Sequence, residues 1–175
     1  HSYFNLDGED SESVEGQHLQ IFADSFAEND AGCLPTGRIV SLDSEEGAPF
    51  DFREPTEIGK RLHEENIHLK NGSGYDHNYL LKKQPDGLCA RAYSRSSGIL
   101  LECRTSEPGM QLYTGNFLST SNIVGKGGKS YADRAGFCLE TQHYPNAMEH
   151  PEFPSVVLPA GELYDTTTEY HISLL

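Results

Sequence analysis

Short apolar or alternating runs, separated by glycine, proline, asparagine, aspartate and serine, recur along the whole chain. Such runs have the length and the period of strands, and the residues between them favour turns. We therefore predict that most of the chain is β-structure. The predicted strands cover residues 18–23, 37–42, 75–82, 88–94, 99–106, 110–113, 136–142 and 162–173.

Two local patterns refine this prediction. The segment Arg95-Ser96-Ser97-Gly98 separates two predicted strands and indicates a hairpin with glycine at its tight position. One short helix is predicted for residues 57–66, with Thr56 as a possible N-cap after Pro55. Many short strands and one short helix predict an all-β fold, an antiparallel β-sandwich.

The chain is strongly acidic, with 27 acidic and 13 basic side chains and a net charge of −14. Such a surface repels nucleic acid and anionic lipid, so we expect neither as a partner. A neutral small molecule suits it better. Residues 7–16 (DGEDSESVEG) are the most acidic stretch, and we expect a mobile loop there.

The cysteines lack any CxxC pair or zinc spacing. We expect four reduced, mostly buried thiols in a cytoplasmic protein, with two disulfides in a secreted protein as the alternative. No apolar run approaches the roughly 20 residues of a membrane helix. The cysteines are Cys33, Cys89, Cys103 and Cys138.

Three kinds of site are not supported by the pattern. The histidines lack the spacing of a metal site, so we expect no metal. The stretch from Lys126 to Lys129 lacks the GxxxxGK[ST] pattern of a phosphate loop. The chain also has no GxSxG segment of the kind that carries a hydrolase serine.

Six segments in order resemble those of the aldose 1-epimerase (galactose mutarotase) family. They are HSYFNL at 1–6, PTG at 35–37 with PFDFR at 49–53, GYDHN at 74–78, EPGMQLYTGN at 107–116, GFCLETQ at 136–142 and HPEFPS at 150–155. Any one segment could arise by chance, but six in order are a specific signal.

The resemblance implies a galactose mutarotase-like supersandwich, of which residues 1–175 correspond to the C-terminal part of a single domain whose N-terminal half is absent. It implies an isomerase that interconverts the α and β anomers of free hexoses such as galactose and glucose. The reaction needs an acid and a base but no cofactor. We expect the full-length protein to be a monomer, and this part alone to be marginally stable or prone to aggregation.

The resemblance also assigns roles to individual residues. His1 corresponds to the general acid and Glu140 to the general base, while Asp76 and Gln111 correspond to sugar-binding residues. Alternation along residues 136–142 places Glu140 on the same strand face as Cys138 and Gln142.

From the residues alone, other interpretations stay open. His1 also fits a frayed terminus, and Asp76 a turn residue. Glu140 and Gln111 also fit exposed positions on an outer strand. Two other functions remain: a carbohydrate-binding unit without full catalysis, and a hexose-6-phosphate 1-epimerase. The latter requires a basic cluster for the phosphate, whereas the basic residues here are scattered.

Overall fold

Two five-stranded antiparallel sheets pack face to face in the computed structural model, which describes all residues from His1 to Leu175. The first sheet has the strand order β10-β7-β6-β1-β4, and the second has the order β3-β2-β5-β8-β9. The predicted antiparallel β-sandwich is thereby confirmed. The strands are β1 (His18–Ile21), β2 (Ala23–Asn29), β3 (Pro35–Ser41), β4 (Thr56–Glu57), β5 (Asp76–Leu81), β6 (Leu88–Tyr93), β7 (Ile99–Thr105), β8 (Gly109–Tyr113), β9 (Cys138–Gln142) and β10 (Thr168–Leu174).

Buried aromatic side chains fill much of the space between the sheets. Tyr75 and Tyr79 are fully buried. The Tyr75 hydroxyl donates a hydrogen bond to the carbonyl of Pro49 at 2.8 Å, and the Tyr79 hydroxyl donates to that of Phe50 at 2.9 Å. A buried hydroxyl needs such a partner, so these bonds fasten the inner face of β5 to the 3-10 turn Ala48–Phe50. The opposite face of β5 carries Asp76.

Most predicted strands are confirmed, with shifted ends. The hairpin between β6 and β7 is also confirmed, and Gly98 has the positive φ of 74° that its turn requires. The strands differ from the prediction in several respects. The run at 18–23 is divided between β1 and β2, strand β4 was not predicted, and the last strand begins at Thr168 rather than at residue 162.

Strand β2 was missed because its sequence does not alternate cleanly. It reads ADSFAEN, and irregularities in its pairing with β3 and β5 interrupt the period of two. Ala23, Phe26 and Ala27 are nevertheless fully buried. Its central place in the second sheet therefore depends on its neighbours more than on its own pattern.

The predicted helix at residues 57–66 is wrong in position. Thr56 and Glu57 form β4, which pairs with β1, and Ile58–Lys60 is a 3-10 turn with a fully buried Ile58. The single α-helix, α1, is Ile67–Gly72, and its N-cap is Asn66 rather than Thr56. The Asn66 side chain accepts hydrogen bonds from the backbone amides of His68 and Leu69. Tertiary pairing with β1 has overridden the local helix signal.

The acidic segment at residues 7–16 contacts the sandwich at several points although most of its residues are exposed, and its mobility stays a prediction. Val14 is fully buried. The Asp7 carboxylate accepts hydrogen bonds from the hydroxyls of Ser94 and Ser96. The Glu9 carboxylate accepts from the Tyr131 hydroxyl at 3.0 Å. The carboxylates of Asp7 and Glu9 therefore accept hydrogen bonds from serine and tyrosine hydroxyls and from the backbone amide of Lys126. Composition alone does not predict these contacts.

Three of the four free cysteines, Cys89, Cys103 and Cys138, are buried, as predicted, and Cys33 is exposed. None of the helices has the length and hydrophobicity that a membrane crossing requires.

The turn that leads into β5 generates the first prediction. Gly74 has φ +136°, and a Cβ placed on it would lie 2.5 Å from Oδ1 of Asn116. Asn116 is buried and donates hydrogen bonds to the carbonyls of Gly72 and Tyr75 at 2.9 and 3.1 Å. We expect Gly74→Ala to lower the free energy of unfolding by about 2 kcal/mol or more, because it adds backbone strain and displaces Asn116. Urea titration at low protein concentration, followed by far-UV circular dichroism, measures the change.

Gly98→Ala is the matched control for this prediction. Gly98 also has a positive φ, but nothing lies within 4 Å of the added Cβ. We expect it to cost only about 1 kcal/mol, the strain of a left-handed residue alone. Equal losses in the two variants would contradict the role given to Asn116.

Candidate active site

The outer face of β5, β8 and β9 carries a set of polar side chains in register. Asn78 of β5 lies opposite Gln111 of β8, which in turn lies opposite Glu140 of β9. Directly opposed residues of antiparallel strands point to the same face, so the three side chains form one row. The adjacent row consists of Asp76, Tyr113 and Cys138.

The inner face of the same strands is apolar, with Met110, Leu112 and Leu139 almost fully buried. This contrast confirms the alternation predicted for residues 136–142. Leu139 points into the core, whereas Glu140 points to the polar face. The hydrophobic core therefore determines which face carries the candidate site.

Asp76 and Gln111 are in direct contact. Nε2 of Gln111 donates a hydrogen bond to Oδ1 of Asp76 at 2.8 Å. Oε1 of Gln111 is buried and has no hydrogen-bond partner. This oxygen and the carboxylate of Asp76 are acceptors, so together they favour a ligand with hydroxyl donors.

His1 and Glu140 form a second pair. Nε2 of the imidazole lies 3.2 Å from Oε1 of the carboxylate, and the side chains are 63% and 22% exposed, respectively. Because these two groups are in contact, a ligand can lie between them only if His1 moves outward. Its exposure leaves room for that movement. The structure thus brings together all four residues named from the sequence, as two adjoining pairs.

Two tyrosines complete this face, and the sequence prediction did not include them. The ring centroids of Tyr3 and Tyr113 lie 6.2 Å apart, and those of His1 and Tyr3 lie 6.0 Å apart. Tyr113 follows Gln111 by two residues on a strand, and this period of two places both side chains on one face. Alternation applied to β8, as it was to β9, would have found Tyr113.

Burial raises the pKa of Glu140 above its ordinary value, and the Asp76 carboxylate raises it further, although the α-ammonium group of His1 and the thiol of Cys138 oppose the change. Burial also raises the pKa of Asp76, while the hydrogen bond from Gln111 opposes this. The pKa of Tyr3 is raised to about 12, first by burial and then by neighbouring acidic groups.

The common cause of these shifts is a partly buried face that holds two carboxyl groups and has no arginine or lysine beside them. Glu140 has His1 as its only ion-pair partner, and Asp76 has none. Salt bridges to arginine or lysine, such as Arg53 with Asp51, lie elsewhere. The structure also contains no cluster of three or more potential ligands in a geometry that could bind a metal ion. The face therefore suits a neutral, hydroxyl-rich ligand.

Comparison with known proteins gives one consistent result. The family model described as "Aldose 1-epimerase" matches residues 1–171. Over 175 residues the chain is 43% identical to galactose mutarotase of Bos taurus and 42% identical to that of Homo sapiens, covering 99% of this chain and 48% of each relative. It is 37% identical to aldose 1-epimerase of Escherichia coli over 174 residues, covering 97% of this chain and 48% of the relative.

Solved structures agree with these matches. A GalM/aldose epimerase homologue from C. elegans superposes with a TM-score of 0.83 at 30% identity, covering 99% of this chain and 50% of that one. A galactose 1-epimerase from Lactobacillus acidophilus has the same fold, with a TM-score of 0.69 at 21% identity, covering 98% of this chain and 47% of that one. The chain spans about half the length of the curated relatives it matches. Because the family model matches nearly every residue, this chain belongs to the aldose 1-epimerase family.

Proposed function

We propose that this chain supplies the acid–base pair and part of the sugar site of an aldose 1-epimerase, which interconverts the α and β anomers of galactose, glucose or a similar free hexose. The observation that carries the proposal is the adjacency of two pairs on one sheet face. His1 and Glu140 lie 3.2 Å apart, and Gln111 and Asp76 lie 2.8 Å apart. The known relatives named galactose mutarotase and aldose 1-epimerase support it.

The proposed reaction uses only proton transfers. Glu140 takes the proton from the anomeric hydroxyl while His1 gives a proton to the ring oxygen, and the ring opens to the aldehyde. Rotation about the C1–C2 bond and reclosure, with the two protons returned, give the other anomer. This direction of transfer requires His1 as the imidazolium and Glu140 as the carboxylate, and Nε2 of His1 lies 3.2 Å from Oε1 of Glu140.

The roles of the other residues follow from their hydrogen-bonding capacity. Asp76 and Oε1 of Gln111 accept hydrogen bonds from sugar hydroxyls and hold the ring against the acid–base pair. Tyr113 and Tyr3 offer aromatic faces beside His1, on which an apolar face of the sugar can pack. No cofactor is needed for this chemistry.

A neutral hexose is favoured over a hexose 6-phosphate. A phosphate dianion calls for arginine or lysine at the site. Glu140 and Asp76 instead place negative charge on this face, and their only cationic neighbour is the residue proposed as the acid. We therefore rank hexose-6-phosphate epimerisation below mutarotation of the free sugar.

The first test is polarimetry on freshly dissolved α-galactose. We expect faster relaxation than in buffer and a loss of that acceleration of at least about 100-fold in Glu140→Gln, because the amide cannot accept the proton. The assay uses the chain alone and also the whole domain with the N-terminal half restored. Equal acceleration by the parent and by Glu140→Gln would contradict the proposed base.

A control separates catalysis from binding. Gln111→Ala removes a proposed hydroxyl ligand but leaves both proton-transfer groups, so we expect a higher KM with a smaller effect on kcat. Galactose binding without any acceleration, in the whole domain, would favour the alternative of a carbohydrate-binding unit.

The raised pKa of Glu140 predicts the acidic limb of the pH profile. Glu140 must be ionised to act as the base, so kcat falls as the pH drops through its pKa. The midpoint of this acidic limb therefore lies above the ordinary glutamate pKa of about 4.3. Asp76→Asn removes a neighbouring negative charge that helps to raise this pKa. We expect the limb to move to lower pH in Asp76→Asn. A limb that stays in place or moves to higher pH would contradict the electrostatic coupling.

We further propose that the chain is the C-terminal part of a single domain and that other strands of this domain cover an open end of the sandwich. In β10, Ile172 lies opposite the buried Leu101, and Leu174 lies opposite Ile99, so both point to the interior side of the sheet. They are nevertheless 62% and 76% exposed. Strand β9 is an edge strand of the facing sheet. Strands added beyond β9 would cover these side chains.

An uncovered interior face and free strand edges favour self-association. We expect the chain alone to associate at micromolar concentration, and the double variant Ile172→Thr, Leu174→Thr to associate less, as measured by analytical ultracentrifugation. Met148→Thr is the control, because Met148 is 70% exposed but lies in a turn. A monomeric chain that unfolds cooperatively on heating would contradict this proposal.

For the whole protein we propose a monomer in the cytoplasm. The net charge of −14 on the 175 residues of this chain opposes association between copies once the apolar end is covered. The buried thiols of Cys89, Cys103 and Cys138 fit a reducing compartment.

A further inference from the structure

A buried carboxylate outside the candidate site joins three separate parts of the chain. The side chain of Glu107, just before β8, is 4% exposed. One of its oxygens, Oε2, lies 2.7 Å from Nδ1 of His143, the residue after β9. The other, Oε1, accepts a hydrogen bond at 2.7 Å from the hydroxyl of Tyr164, which precedes β10.

No arginine or lysine lies within 4 Å of this carboxylate, and His143 is its only ion-pair partner. A buried charge is costly unless it is paired and hydrogen-bonded. Tyr164 donates a hydrogen bond to Oε1 of Glu107, while His143 lies at ion-pair distance from Oε2, which has no hydrogen-bond partner. We call this group of three side chains the Glu107 clasp.

The clasp lies where β8 and β9 have no covalent link. The two strands are connected at their other end by residues 114–137, and their last paired residues at the clasp end are Gly109 and Gln142. His143 follows Gln142 directly, and Glu107 precedes Gly109 by two residues. The contact between His143 and Glu107 thus closes the open end of the β8–β9 ladder.

The register of this ladder determines which side chains of β9 share a face with those of β8. A slip of one residue would turn every side chain of β9 to the opposite face. Glu140 would then point away from Gln111, its present partner in the row. A contact that fixes β9 relative to β8 therefore also fixes the proposed base relative to the sugar ligand.

We propose that Glu107, His143 and Tyr164 are positioning residues that hold β9 in register and so keep Glu140 in its place beside the substrate. The catalytic part of this inference rests on the proposed function, whereas the structural part does not. None of the three touches the acid–base pair, and they act through the backbone of β9.

Hydrogen exchange and kinetics together test the proposal in the whole domain. We expect His143→Ala to increase the exchange of the peptide that contains Cys138–Gln142 at least tenfold, with the rest of the sandwich unchanged. His143→Asn keeps a donor for Glu107, so we expect it to restore most of the protection. His150→Ala is the matched control, because His150 lies near another carboxylate, Glu152, at 3.4 Å and away from the ladder.

The kinetic readout distinguishes positioning from general stability. We expect kcat to fall at least tenfold in His143→Ala with little change in KM, because Gln111 and Asp76 remain in place. Tyr164→Phe removes one hydroxyl and gives a smaller change of the same kind, and it replaces His143→Ala in the test if that variant does not fold.

The outcomes are separable. Unchanged exchange of the β9 peptide in both His143→Ala and Tyr164→Phe would overturn the proposal whatever the activity. Increased exchange with an unchanged kcat would overturn the catalytic part. If the unmodified domain has no mutarotase activity, the proposed function fails, while the exchange data still decide whether the clasp fixes the register.

Discussion

The antiparallel register of β5, β8 and β9 is the constraint on which the candidate site depends. It aligns Asn78, Gln111 and Glu140 in one row and sends the intervening side chains into the core. Backbone hydrogen bonds set the spacing of the row, and burial of residues such as Leu112 and Leu139 sets its direction. Proton transfer tolerates little displacement, so the proposed base, Glu140, is better placed on a rigid ladder than on a loop.

Electrostatics on this face follow from the same arrangement. Strands β5, β8 and β9 bury their inner faces in the core. Their outer faces carry the carboxyl groups of Asp76 and Glu140, which are partly shielded from water. Burial raises the pKa of both Glu140 and Asp76, and the charge of Asp76 raises the pKa of Glu140 further. A base with a raised pKa accepts a proton more readily, and a face without lysine or arginine suits an uncharged ligand. The raised pKa values and the preference for an uncharged ligand therefore have the same physical cause, which is a partly buried face without lysine or arginine.

The weak point of this architecture is its edge. Strand β9 carries Glu140 but has β8 as its only strand neighbour, and the interior side of β10 is uncovered at Ile172 and Leu174. Side-chain contacts compensate in part. The Tyr170 hydroxyl donates a hydrogen bond to the carbonyl of Leu139, and Glu107 joins the ends of two strands. The additional strands proposed beyond β9 would cover the parts of this edge that these contacts leave exposed.

The fold class, most strands and the identity of the four candidate site residues could be predicted from the sequence alone. Alternating apolar residues and turn residues encode the strands, and six ordered motifs carry the family resemblance. Sequence did not reveal the position of α1, the attachment of the acidic segment, or strand β2, because each depends on partners distant in the chain. The folded structure was needed to show that His1 lies beside Glu140, that Tyr113 lies beside His1, and that Glu107 contacts His143 and Tyr164. These contacts depend on pairing between strands that are far apart in the sequence. The local sequence pattern of one strand does not show which residues of another strand will lie opposite it.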